Sequence, residues 1–160
     1  MKIKFITMLI MFLIIGCAAT QQNKLSEQVS DTIFPKGEKV ESPNFTGSIW
    51  LNMMGTNNSS INTRYGLVTF EPKSRTYWHS HPGGQLLFIT SGQGYYQAKG
   101  QQIQLLKKGD YVEILPNMIH WHGATPDSEF SHIAVSLNID EGNVIWLQPV
   151  TDEEYYSVTK

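Results

Sequence analysis

Short apolar runs, broken at close intervals by turn-forming residues, constrain this chain more than any other feature. "TGSIWLNMM" (46–54) precedes the loop "GTNNSSIN", and "RYGLVTFE" (64–71) stops at Pro72. "QLLFIT" (85–90) meets the turn residues "SGQG", and "YYQA" is joined by "KGQ" to "QIQLL". "KKGD" leads into "YVEIL", which stops at Pro116, and "FSHIAVSLNI" (130–139) is followed by the turn "DEG" and by "NVIWLQPV". Runs this short, with turns at this spacing, predict antiparallel strands closed into a sandwich or barrel. Only the end reads as helix: Thr151 and Glu154 in "TDEEYYSV" form a capping box for a short terminal helix. With 160 residues, 41% of them hydrophobic, the chain suits one domain. A net charge of −2 gives no basic footprint for nucleic acid, and a single cysteine allows no internal disulfide.

That cysteine ends an apolar run. In "MKIKFITMLIMFLIIGC", Lys2 and Lys4 precede an apolar stretch from Phe5 to Ile15, then Gly16 and Cys17. A basic start and a short apolar core make a secretory signal, too short for the roughly 20 residues of a spanning helix. The end "IIGC" resembles the lipobox of bacterial lipoproteins, in which the cysteine is lipidated. The expectation is a signal peptide over 1–16 and a lipid on Cys17. A polar tether follows over 17–31, and one domain spans 32–160. The mature chain would be exported, periplasmic or at the cell surface, and held at a membrane.

All five histidines fall in three short groups: His79 and His81, His120 and His122, and His132. Strand side chains alternate, so residues two apart share a face. His79 and His81 therefore point one way, as do His120 and His122 if "HWH" is extended. Gly66, Val68 and Phe70 alternate with Leu67 and Thr69, so one of these sets faces the interior. Leu86, Phe88, Trp78 and Trp121 are assigned to the core.

"HSHPGGQLLFITSG" and "GDYVEILPNMIHWH" together resemble the two signature motifs of the cupin superfamily, small double-stranded β-helix barrels. The first motif gives two histidines and an acid or amide, the second a third histidine. The chain departs from the usual pattern in carrying Gln85 where most cupins have Glu. It also lacks the glycine between Pro116 and the histidine. The resemblance implies an all-β jelly-roll barrel with a short C-terminal helix. Its longer stretches, "RTYWHSHPGGQ" and "HWHGATP", are similar to small bacterial cupins found beside or fused to carboxymuconolactone decarboxylase-type domains. That group includes manganese-dependent (R)-selective hydroxynitrile lyases. The resemblance implies His79, His81, Gln85 and His120 as ligands of one divalent metal ion, foremost Mn2+, with Fe, Ni or Zn as alternatives. It places His122 and His132 among the active-site histidines, and Gly66, Val68, Thr76 and Ser136, beside Phe70, in the substrate pocket. Ser136 stands where those lyases tend to have Gln.

Imidazole suits all of these ions, and an amide oxygen is a weak neutral ligand. A set without an anionic member leaves the ion its full 2+ charge, which favours Lewis-acid work on an alcohol, carbonyl or small anion. His122 and His132 read either as supports that orient the ligands or as a general base and acid. Three functions follow. The first is a hydroxynitrile-lyase-like C–C lyase, the second a quercetinase-like dioxygenase, and the third a non-catalytic ligand-binding lipoprotein. The expected partners are a small-molecule substrate and the membrane, with self-association open.

Overall fold

The computed structural model describes residues 33–55 and 60–159. The signal, the tether and Cys17 lie outside the described residues. Among the described residues twelve strands follow in chain order: β1 Glu38–Lys39, β2 Phe45–Thr46, β3 Ile49–Gly55, β4 Thr63–Phe70, β5 Arg75–Thr76 and β6 His79–Ser80. Then come β7 Gln85–Ala98, β8 Gln104–Lys107, β9 Tyr111–Ile114, β10 His120–Ala124, β11 Phe130–Leu137 and β12 Ile145–Trp146. The all-β expectation holds, and every pairing is antiparallel. The sheet runs β1-β3-β4-β11-β7-β10-β5-β2 and curls into a half-barrel, with β9 and β8 on β7 and β12 on β6. The terminal helix α1, Asp152–Tyr155, carries the predicted capping box of Thr151 and Glu154.

β7 departs from the sequence reading. "SGQG" is no turn; one 14-residue strand passes straight through it. Its first half pairs with β11 and β9, its second with β10 and β8, so it ties the two halves of the barrel together. Two features let it turn that corner. Gly92 has φ +70°, and a side chain on Gly94 would strike the Phe130 ring at 2.4 Å. A bulge at Thr90 shifts the register against β11, from Ser131 opposite Ser91 to His132 opposite Ile89. One extra residue exchanges the faces of a strand. Leu87 and Ile89 accordingly pack inward before the bulge, and Tyr96 and Ala98 after it, all within one core.

That parity also corrects two core assignments. Gln85, Leu87 and Ile89 take the inward face, so Leu86 and Phe88 project outward, and Phe88 is 43% exposed. Trp78 and Trp121 are buried as expected, packed edge to face in a second cluster with Tyr155 of α1. The Tyr155 hydroxyl donates to the Ala124 carbonyl, and the buried Arg75 guanidinium donates to the Val150 carbonyl and to Asp152. These contacts clamp the C-terminal segment onto β10 and β5, the strands beside the histidines.

Candidate metal centre and cavity

Register builds the site. Across β12, β6, β10 and β7, one row of paired residues reads Trp146, His79, His120, Ala98. In a neighbouring row on β2 and β5, Phe45 pairs with Thr76. The backbone N–H of His122 donates to the Thr76 hydroxyl at 3.1 Å, and His122 pairs in turn with Tyr96. Two adjacent interior rows therefore each begin with an aromatic residue and run into the histidines.

Two imidazoles are held in one tautomer. The Nδ1–H of His79 donates to the Tyr77 carbonyl at 2.9 Å, and that of His120 to the Met118 carbonyl at 2.8 Å. Each carbonyl can only accept, so each ring keeps its proton on Nδ1 and turns an Nε2 lone pair inward. The two rings lie 4.1 Å apart. One ring nitrogen from each of His79, His120 and His122 lies within 4.8 Å of the others. That approaches the span of about 4.2 Å between two nitrogens opposite each other on an ion with bonds of about 2.1 Å. His81 stands close by, its ring 5.3 Å from His79 and 5.8 Å from His120. Gln85 completes the group from β7.

Several polar atoms here are buried and unpartnered: Gln85 Oε1, His120 Nε2, His122 Nδ1 and both ring nitrogens of His132. Buried polar groups are nearly always satisfied, and the orphaned atoms of Gln85, His120 and His122 beside the histidine cluster need a partner, while those of His132 lie behind His122. All are neutral nitrogen or amide donors, a set that suits a divalent transition ion. Burial keeps them neutral. It holds His79 and His122 well below the ordinary imidazole value and brings His81 and His120 to about 4 and His132 to about 3. At neutral pH none needs to lose a proton before it can coordinate.

A cavity of about 200 Å³ opens beside the histidines. His79, His81, Gln85, His122 and Thr76 form its polar end, while Val68, Phe70, Leu51, Phe45 and Trp146 form most of the rest. A larger surface trough of about 770 Å³ at Gly92, Lys107 and Pro126 holds no histidine.

The family model for the cupin domain matches residues 66–136, from β4 through β11. A crystal structure of a cupin-like protein from Thermotoga maritima is 52% identical, covers 78% of this chain and 95% of its own, and superposes with a TM-score of 0.76. The chain belongs to the cupin superfamily. A curated relative, the (R)-mandelonitrile lyase of Granulicella tundricola, is 44% identical over 88 residues, 55% of this cupin and 67% of the lyase. The DMSP lyase DddQ from Ruegeria pomeroyi, 18% identical, shares only the fold, with a TM-score of 0.56, 65% of this chain and 54% of its own being covered.

The structure brings together most of the residues picked out in the sequence. His79, His81, Gln85, His122, Val68, Phe70 and Thr76 all border the cavity of this cupin. His120 is buried among the rings. Gly66 and Ser136 share interior-facing rows with them, Gly66 opposite Ala134 and Ser136 opposite Gln85, but neither lines the cavity. His132 does not line it either. It sits behind His122, rings 4.8 Å apart, between Phe70 and Phe130. The tightest three-histidine set contains His122, whereas the sequence motif contains His81. Phe45 and Trp146 were missed, because neither belongs to a histidine motif and only strand pairing carries them there.

Proposed function

We propose that this cupin is a divalent-metal-dependent enzyme acting on small molecules, a hydroxynitrile-lyase-like C–C lyase with manganese as its ion. The observation that carries the reading is a cluster of buried neutral imidazoles, with one ring nitrogen from each of His79, His120 and His122 within 4.8 Å of the others, beside a small apolar cavity that Gln85 and His81 also border. The likeness to a mandelonitrile lyase over 88 residues supports the lyase reading. His79, His81, Gln85 and His120 would hold the ion, leaving His122 for chemistry. A divalent ion in that set supplies Lewis-acid polarisation of a substrate oxygen.

The protein's own groups do the rest. His122 borders the cavity and is kept neutral by burial, so it is ready to accept the hydroxyl proton of a cyanohydrin. As the O–H electrons form the carbonyl, the C–C bond breaks and its electron pair leaves with cyanide. The same burial makes protonated His122 a strong acid, which returns the proton to cyanide and releases HCN and an aldehyde. Thr76 fixes His122 through its backbone N–H, and His132 buttresses the ring from behind. In this reading the chain is exported and tethered by lipid on Cys17.

The decisive experiment is metal analysis of the purified protein together with a cyanohydrin-cleavage assay and an oxygen electrode. Stoichiometric manganese with aldehyde release supports the lyase. Oxygen uptake without cleavage replaces it with an oxygenase, and bound metal with no turnover replaces it with a binding protein. Fractionation of cells tests the anchor: a wholly soluble wild type refutes lipid attachment.

A further inference from the structure

We propose that the outer face of the sheet β3-β4-β11-β7-β9 is the contact surface for a second copy of this chain, the two packing back to back about a two-fold axis. An antiparallel sheet with one face in water alternates apolar and polar residues. These strands do not: "LLFI" (86–89) and "IAV" (133–135) are apolar on both faces. The core marks the inner face, because Val68, Leu87, Val112 and Ala134 all pack into it. Their neighbours therefore point outward. One outward row reads Asn52, Leu67, Ile133, Phe88, Tyr111 across the five strands. The next reads Tyr65, Val135, Leu86, Glu113. Glu113 is the single charge in both rows. It stands on β9, which pairs only with β7 among the described residues and so lies at the edge of the sheet. An apolar, aromatic centre with its charge at the rim is the anatomy of a protein interface.

The area matches what a dimer needs. Tyr65, Phe88 and Tyr111 are 37%, 43% and 65% exposed, which at about 200 Å² for a whole aromatic residue leaves about 300 Å² in water. Leu86, Ile133 and Val135, half-buried, fill the space between the rings and add to it. A standard interface takes about 800 Å² from each partner, about 60% of it apolar, or about 480 Å². The two rows supply most of that. The chain's own N-terminal segment is the other candidate cover. The hydrogen bond from Asn52 Nδ2 to the Pro35 carbonyl sets that segment at the start of the first row. Residues 18–32 before it carry only Leu25 and Val29 as large aliphatic residues, too few to cover two rows. A second copy brings the same two rows, and two equal sheet faces pack with aligned strands at about 10 Å.

The test is native mass spectrometry of the full chain released from detergent, with hydroxyl-radical footprinting of the same sample at high and low concentration. The wild type should give the mass of two chains. Phe88 and Tyr111 should be oxidised several-fold less in the concentrated sample, while Leu105 on β8, 57% exposed and outside these rows, is unchanged. Phe88→Glu and Tyr111→Glu should each weaken association at least about 30-fold, the loss expected when an interface anchor is removed. Leu105→Glu should leave association intact. A monomeric wild type overturns the proposal, whatever covers the face instead. So does a dimer that both outer-face variants leave unchanged, or one that Leu105→Glu abolishes. Should the variants fail to fold, the wild-type footprint decides: equal oxidation of Phe88 and Tyr111 at both concentrations overturns the proposal. Neither readout uses metal or cyanohydrin, so the result stands apart from the lyase reading.

Discussion

Acidifying the metal-stripped protein should destabilise it far more than its net charge suggests. His79, His120, His122 and His132 are each at most 4% exposed. Burial holds all four below the ordinary imidazole value of about 6.5. The unfolded chain takes up these protons as pH falls through about 6.5, whereas the folded chain holds them off until well below that, about 4 at His120 and about 3 at His132, so folding stability is lost across that window. From pH 7 to pH 5, each histidine costs about 2 kcal/mol, a value set almost wholly by the unfolded state. Four of them reach about 8 kcal/mol, as large as the whole stability of many domains at about 5–15 kcal/mol. The assay is urea unfolding of chelator-treated protein, followed by tryptophan fluorescence at both pH values. His132→Leu, which removes one titrating group outside the proposed ligand set, should reduce the loss by about 2 kcal/mol. Stability unchanged within about 1 kcal/mol between the two pH values would refute the claim that these rings are buried neutral.

The other predictions concern the donors and the fold. His79→Ala and His120→Ala should abolish metal retention, measured by mass spectrometry of the desalted protein, and Gln85→Ala should lower it less, since an amide is the weakest donor. The same measurement on His81→Ala and His122→Ala decides the third imidazole: the variant that loses the ion identifies the ligand, and the other should lose turnover by about 10²–10⁴-fold if it is the base. Gln85→Glu lowers the charge of the loaded site from 2+ to 1+, so metal should bind more tightly while cyanohydrin cleavage slows, and equal cleavage rates would sink the neutral-donor argument. Gly94→Ala should cost several kcal/mol in urea unfolding, because the new methyl would lie 2.4 Å from the Phe130 ring and 2.6 Å from the Gly123 carbonyl.

Much of the site was legible because strand alternation is a local rule. It set His79 with His81 and His120 with His122 on common faces, and the barrel confirms both pairs at the cavity or among its rings. Alternation failed at β7. There, "SGQG" carries two glycines that mark turns in most sequences, yet here they let one strand bend between two sheets. The bulge at Thr90 cannot be seen in the residues, because it is a property of the pairing with β11. The same limit hid Phe45 and Trp146. They lie 34 and 67 residues from His79 in the sequence, and only the two-residue pairings of β2 with β5 and β12 with β6 bring them to the cavity.

The position of His132 follows from the same geometry and alters the chemistry assigned to it. Its row reads Leu51, Val68, His132, Ile89 across β3, β4, β11 and β7, so it reaches the interior from the opposite sheet to the other histidines. Phe70 stacks over it at 5.7 Å and Phe130 flanks it, which closes it off from the cavity. A base must come within hydrogen-bond reach of the proton it takes, directly or through one water. His122 lines the cavity, where the proposed substrate would bring its proton, and His132 does not line it. An imidazole with both nitrogens orphaned between two phenyl rings can still act on the reaction by contact with His122. Its removal should therefore change the pH profile and the orientation of His122 rather than abolish proton transfer outright.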